Sequence, residues 1–425
     1  MLKKFILILS IIILLTGCSN TSGHDSSEEI FLSLQNQSPI PVAREVEKPK
    51  TDSENKPTVD ERGNYIPINY DEQKAVWFSY IDIADMLTNK SEAQFRKNIS
   101  DSFDRVRGLG INTVYAHVRP FGDALYQSNH FPQSRYYNGV SGKGSSYDAL
   151  KIMTEQAHQK GLSIHAWINP LRCEKPENIE KISDDFLIKK WFTNTDYYGK
   201  YIVKVENSEQ LWLNPAYQEV VDLICNGVEE LCLNYNIDGI HIDDYFYPTT
   251  DEGFDKQAFD NSKSASISDF RISSTNKLVK QMYSTIKQVN SRIMFGISPQ
   301  GSFNNNYNQL FADVKTWITE VGYCDYIVPQ VYYGYNNEVE PYLEVIKSWS
   351  ELTNDNVKLI IGLAHYKIYN EEEYKNNTGI ISKQILDAKK LEDYGGVALY
   401  NYKNIFQESE RSLSERKAVA EQLKK

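Results

Sequence analysis

The chain has only five cysteines, and none of them stands at metal-site spacing. Cys173, Cys225, Cys232 and Cys324 are scattered, so neither a structural zinc site nor an essential disulfide is expected. Cys225 and Cys232 fall on one expected helix among apolar neighbours, where they serve as small hydrophobes. The seven histidines also lack paired spacing, which weighs against a metal-dependent deacetylase. No glycine-rich loop opens a helix, so the usual phosphate cradle of nucleotide-binding proteins is missing. Positive charge is scarce as well, with 46 Lys and Arg against 57 Asp and Glu, for a formal net charge of −11. Such a chain binds nucleic acid or other polyanions poorly, and a neutral or partly cationic polymer suits it better. No metal, cofactor or nucleic-acid partner is expected.

A long apolar run is missing too. The stretch from Phe5 to Leu15, behind Lys3 and Lys4, is shorter than the roughly 20 residues that span a bilayer. It reads as a secretory signal over residues 1–17. Leu15-Thr16-Gly17-Cys18 resembles a bacterial lipobox, in which Cys18 becomes the lipidated N-terminus. The expected location is therefore the extracytoplasmic face of the cell membrane, with a lipid anchor and no spanning helix. Residues 18–70 are rich in Ser, Asn, Glu, Lys and Pro, a composition that reads as a flexible tether.

What is present, over residues 71–425, is an alternation of β-rich runs and amphipathic helices. The runs 75–83, 113–118, 163–169, 239–243, 295–299, 326–333, 359–366 and 396–402 make eight expected strands. Between them, Phe95, Ile99, Phe103 and Val106 share one helix face; so do Val220, Leu223, Ile224, Val228 and Leu231, and Leu278, Met282, Ile286 and Val289. Eight strands with intervening helices predict an α/β fold, a (β/α)8 TIM barrel. The stretch between the third and fourth strands is far longer than one helix needs. It carries Trp191, Tyr197, Tyr198, Tyr201 and Trp212. It either roofs a cleft with rings that suit sugar faces or builds a small core of its own.

The densest chemistry lies in Asp238 to Tyr247, which reads D-G-I-H-I-D-D-Y-F-Y. A short apolar strand ends in two adjacent carboxylates and three aromatic rings. In a parallel barrel, side chains at the C-terminal strand ends converge on one pocket. Two carboxylates there suit acid/base or nucleophilic work on a sugar. An Asp pair could instead cap the next helix, but one Asp suffices for that. Strand alternation aims His241 and Asp243 at the barrel axis and leaves Asp244 at the rim. Arg119, Asn169, Gln330, Tyr332, His365 and Tyr400 are expected to converge on the same pocket, with Tyr245 beside it. Asp123 follows the second strand. Trp167 is expected to form an aromatic wall. His165, on the same strand face, is carried as a contact, although a lone His of this kind more often belongs to the core.

The series G-I-N-T-V-Y-A-H-V-R-P-F-G-D-A-L-Y (110–126), H-A-W-I-N-P (165–170), W-L-N-P (212–215), D-G-I-H-I-D-D-Y-F-Y-P (238–248), F-G-I-S-P (295–299), D-Y-I-V-P-Q-V-Y (325–332) and I-G-L-A-H-Y-K (361–367) resembles the glycosyl-hydrolase-like family 10. These are bacterial cell-envelope TIM-barrel proteins, often lipoproteins, and the match runs in order from about residue 75 to 402. The resemblance implies a glycosidase fold and a polysaccharide substrate, the glycan strands of peptidoglycan. It places Asp243 and Asp244 in the family's acidic motif, and Arg119, Asp123, Asn169 and Gln330 in its pocket motifs. Family 18 chitinases carry D-x-x-D-x-D-x-E at this strand. Here the matching positions are Asp238, His241, Asp243 and Tyr245, so the terminal proton donor of that signature is missing. A barrel that binds glycan without cleaving it is the competing expectation.

Overall fold

The computed structural model describes residues 58–61 and 63–425. The expected signal segment, the expected lipidation site Cys18 and residues 19–57 of the expected tether lie outside them. Eight parallel strands close into a barrel: β1 (Gln73–Phe78), β2 (Thr113–Arg119), β3 (Ser163–Ile168), β6 (Gly239–Ile242), β7 (Met294–Ile297), β8 (Tyr326–Ile327), β9 (Lys358–Ala364) and β10 (Tyr394–Tyr400), which pairs back onto β1. A short antiparallel hairpin, β4 (Ile202–Lys204) and β5 (Leu211–Leu213), stands apart within the insertion.

The helix faces read from spacing do cover the barrel. Phe95, Ile99, Phe103 and Val106 are fully buried, as are Val220, Ile224, Val228 and Leu231. Each such side chain contributes about 1.5–3 kcal/mol by leaving water. Two strand expectations change in length. The run 75–83 stops at Phe78, because Ser79 and Asp82 form a capping box that starts the helix Tyr80–Leu87. The run 326–333 keeps only two ladder residues, because Pro329 has no N–H to give. Gln330 then bridges Gln300 and Gly362 singly, at the mouth of the barrel.

The barrel interior is filled chiefly by rings, Trp77, Tyr115, Trp167 and Tyr326, with Val328 and Ile360 beside them. Trp77 Nε1 donates to His241 Nε2 at 3.1 Å, so His241 Nδ1 carries the proton and donates to the Tyr326 hydroxyl at 3.1 Å. Tyr326 in turn lies 2.7 Å from His165 Nδ1, and His165 Nε2 reaches Ser163 Oγ at 3.1 Å. Two glycines make room for this network. A Cβ at Gly296 would fall 1.8 Å from the Tyr326 ring, and one at Gly239 would fall 2.4 Å from His165. That is the physical reason for glycine in D-G-I-H and F-G-I-S.

The folded chain begins before residue 71. Tyr65 and Ile68, expected in the tether, both hydrogen-bond Asp238 at the N-terminal end of β6, each at 2.6 Å. Tyr70 donates to the Gly161 carbonyl at 2.5 Å. Composition hid these apolar anchors among polar residues. Among the described residues, no helix is long and apolar enough to cross a membrane.

Candidate active site

Ile240 and Ile242 pack outward, and Asp243 is the first residue beyond β6. Its side chain is nearly covered, and its Oδ1 accepts from Asn169 Nδ2 at 2.5 Å and from the Tyr245 N–H at 3.3 Å. Asn169 is oriented in turn by His117, whose Nε2–H donates to Asn169 Oδ1 at 2.9 Å. The His117 ring lies flat on Trp167, with centroids 3.6 Å apart. Burial, then the Arg172 charge, hold His117 well below its usual range and therefore neutral. A neutral imidazole that donates through Nε2 fixes the Asn169 amide, which can then only give N–H to Asp243.

Asp244 is held differently. Gln330 Nε2 donates to its Oδ1 at 3.1 Å, and Gln300 Nε2 donates to its Oδ2 at 3.2 Å. Asn306 fixes Gln300 through its backbone N–H at 3.0 Å and its carbonyl at 2.7 Å. Burial, reinforced by the Asp244 charge, pushes the Asp243 carboxyl up to about 7. Burial also raises Asp244, but the Gln330 and Gln300 amides oppose that rise by stabilising its anion. Adjacent carboxylates in unlike surroundings separate into a proton holder and an ionised partner.

Rings stand close to the pair. Tyr332, Tyr366 and Tyr400 form a triangle with centroids 6.0–6.2 Å apart, and Trp77 lies 5.9 Å from Tyr400. Tyr245 stacks near Trp212 at 6.1 Å, and the Arg172 guanidinium lies 4.2 Å from the Tyr245 centroid. The other rings of the insertion mostly pack on one another: Trp191 and Tyr197 each stand 5.2 Å from Tyr201. The insertion is thus largely a satellite core that lends Trp212 to the cleft.

Of the residues expected from sequence, the structure gathers Asp243, Asp244, Asn169, Gln330, Tyr245, Tyr332 and Tyr400. Trp167 lies in the floor, with 4% of its surface exposed. Four others do not join them. Arg119 is turned away by a register shift between His117 and Arg119 in β2. It stacks on Phe131 at 4.1 Å, close against Gly227 of the helix Gln218–Asn234. Asp123 accepts the Phe121 N–H at 2.9 Å and lines a separate small cavity beside Glu174. Burial and the Glu174 charge push it up to about 6. His165 belongs to the ring network inside the barrel, one layer below Trp167. His365 faces outward, because Ile360 and Gly362 take the axis side of β9. Burial and the Arg416 and Arg411 charges lower it to about 3. The expectation passed over His117, Arg172, Gln300, Trp77 and Tyr366. Of these, His117 shares the inward parity of Tyr115 and could have been found from it. Among the described residues, no three His, Cys, Asp or Glu side chains stand together as a metal cradle.

A closed parallel barrel with two carboxylates and ring walls at its C-terminal mouth has the architecture of a glycoside hydrolase. The glycoside hydrolase domain of PgaB (BpsB) from Bordetella bronchiseptica shares the fold, with a TM-score of 0.56 over 82% of this chain and 99% of that domain, at 12% identity. The chain matches Glycosyl hydrolase-like 10 over residues 72–378 and belongs to that family. It is similar to the glycosyl hydrolase YngK of Bacillus subtilis (strain 168), 35% identical over 330 residues, or 70% of this chain and 62% of YngK. It is also similar to the glycosyl hydrolase DigH of Escherichia coli O6:H1, 30% identical over 345 residues, or 74% of this chain and 76% of DigH. The chain therefore spans less than two thirds of the length of YngK.

Proposed function

We propose that the protein hydrolyses O-glycosidic bonds in a cell-wall glycan of the peptidoglycan type, built from N-acetylhexosamines. The observation that carries this reading is the unequal setting of Asp243 and Asp244. Asp243 has two donors on one oxygen and a raised affinity for its proton. It serves as the general acid that protonates the leaving oxygen. Asp244 keeps its charge between two carboxamides and faces the developing oxocarbenium ion, as base, nucleophile or electrostatic partner. The Tyr332–Tyr366–Tyr400 group and the Tyr245–Trp212 pair offer ring faces to sugars beside the carboxylates. Family membership and the names of YngK and DigH support hydrolysis as the reaction class. The lipobox-like Leu15-Thr16-Gly17-Cys18 supports tethering at the outer membrane face, within reach of the wall. The test is product analysis on purified wall glycan, intact and stripped of stem peptides. New reducing ends and shortened oligomers are expected. Binding without any release of fragments would overturn the reading in favour of a glycan-binding protein.

A further inference from the structure

Arg172 is a clamped cation whose donors are left open. Its side chain is 8% exposed and its Nε donates to the Pro120 carbonyl at 3.1 Å. Its guanidinium lies between two rings, 4.2 Å from the centroids of both Phe121 and Tyr245. Its two Nη nitrogens have no hydrogen-bond or ion-pair partner among the described residues, and they are not sealed from solvent. Asp243 and Asp244 feel its charge, yet neither comes within ion-pair distance.

A nearly buried cation normally finds an anion or carbonyl for each arm. Arg271, at the foot of the loop that follows Asp244, does so. It takes Asp255 through Nε and Nη2 at 3.1 and 2.7 Å, and the Asp251 carbonyl at 2.6 Å. Arg119 also lacks such partners, but it is closed in behind the barrel wall, where no ligand reaches it. Arg172 alone among these three opens on the cleft. With two rings 4.2 Å from the guanidinium carbon and Nε taken by the Pro120 carbonyl, the Nη edge is left to meet a ligand. That edge has the fork geometry of a carboxylate.

We infer that Arg172 forms an anion subsite beside Asp243 and Asp244, and that it takes a free carboxylate carried by the sugar bound there. The inference rests on the glycan-hydrolase reading of this site and names the chemistry that one of its sugars must bear. The net charge of −11 shapes the class further. A dense polyanion is repelled, whereas a contact pair at Arg172 is little affected by charges beyond the roughly 8 Å Debye length at physiological salt. The fitting substrate is a glycan with isolated carboxylates, such as a hexosamine bearing a carboxylic ether or an occasional uronic acid.

The test compares peptide-free wall glycan oligomers with the same oligomers after carbodiimide activation and borohydride reduction, which turn each carboxylate into an alcohol. Cleavage is followed on the wild type, and binding is measured on D243N by calorimetry. Wild type is expected to favour the carboxylate form at least about tenfold in kcat/KM, and D243N at least about tenfold in Kd, as fits a charged hydrogen-bonded pair. R172Q is expected to bring the cleavage ratio close to one, and R172K to hold an intermediate value. Equal use of both oligomers by the wild type overturns the inference even if R172Q fails to fold. So does an R172Q protein that melts normally and keeps the preference. Absence of cleavage, with a carboxylate preference in binding that R172Q removes from the D243N background, would leave the subsite standing and overturn the hydrolase reading instead.

Discussion

Asp238 and Asp243 cap the two ends of β6, and both are buried, yet their surroundings are opposite. Asp238 is saturated: it accepts from the Tyr65 hydroxyl and the Ile68 N–H at 2.6 Å, the Ile164 N–H at 2.7 Å, and His158 Nε2 at 3.0 Å. Asp243 has two donors, both on Oδ1, and a second carboxylate next in the chain. A buried carboxylate with all its lone pairs engaged is a joint between segments. One left short of donors beside a like charge holds a proton it can release. Burial by itself does not separate the two, but the count of donors does. The split also follows the barrel's polarity, with stability at the N-terminal end of the strands and chemistry at the other.

The largest expected effect breaks the chemical end. Asp243→Asn and Asp244→Asn keep shape and remove the titrating group, so each is expected to lower kcat by about 10²-fold or more. Wild-type activity should fall as pH rises through about 7, where Asp243 loses its proton. It should fall again in acid, where Asp244 gains one. Melting curves must accompany the assays. Near-normal rates in both variants, with normal melting, would remove these two residues from the chemistry.

Next in size is the structural end. Asp238→Asn cannot accept four donors, and it turns one acceptor oxygen into an N–H facing other N–H groups. A loss of about 3 kcal/mol is expected, the scale for breaking a buried charged network. It should appear as a lower Tm and as earlier exchange of the Ile68 and Ile164 amides, with kcat nearly unchanged in the folded fraction. A normal Tm would show that residues 58–70 do not depend on this joint.

The same contrast marks how far the sequence could be read. The eight strands were legible because apolar runs of the right length alternate with helix-period faces. The Asp243–Asp244 pair was legible because it ends such a run. Arg119 and His365 were misplaced for two different reasons. A bulge after His117 breaks the two-residue period that aimed Arg119 inward. His365 lies on the helix-facing parity of β9, and only the positions of Ile360 and Gly362 reveal it. Gln300 and Arg172 sit in loops, where no period fixes the direction of a side chain. The segment before residue 71 was hidden because Tyr65, Ile68 and Tyr70 are sparse among polar neighbours. The Ser79–Asp82 capping box is written as S-x-x-D, but the apolar run 75–83 masks it, and the box ends β1 at Phe78.

A smaller effect sharpens the comparison through stability. The Asp243 carboxyl is raised above its unfolded value, so the native state binds more protons than the unfolded one between about pH 4 and 7. Its contribution is fully present below that window and is lost as pH rises through it. Asp243→Asn removes the titration. At pH 8 the variant should therefore be more stable than wild type by about 1.4 kcal/mol or more, the equivalent of one pKa unit. At pH 4 the two should melt together. A gap of the same size at both pH values would mean that Asp243 does not hold its proton.

The smallest effect is expected at His365, where burial comes with neither donors nor chemistry. Both ring nitrogens are covered and have no hydrogen-bond partner among the described residues, and burial, then the Arg416 and Arg411 charges, keep the ring neutral. A buried polar atom without a partner costs about 1–3 kcal/mol, and an apolar ring of similar shape escapes that cost. His365→Phe adds a little volume, which offsets part of the gain. The expected result is a Tm equal to wild type or slightly higher, with kcat/KM on wall glycan within about twofold. A tenfold fall in kcat/KM at unchanged Tm would carry His365 back into the cleft. It would also contradict the outward parity that β9 gives to this side chain.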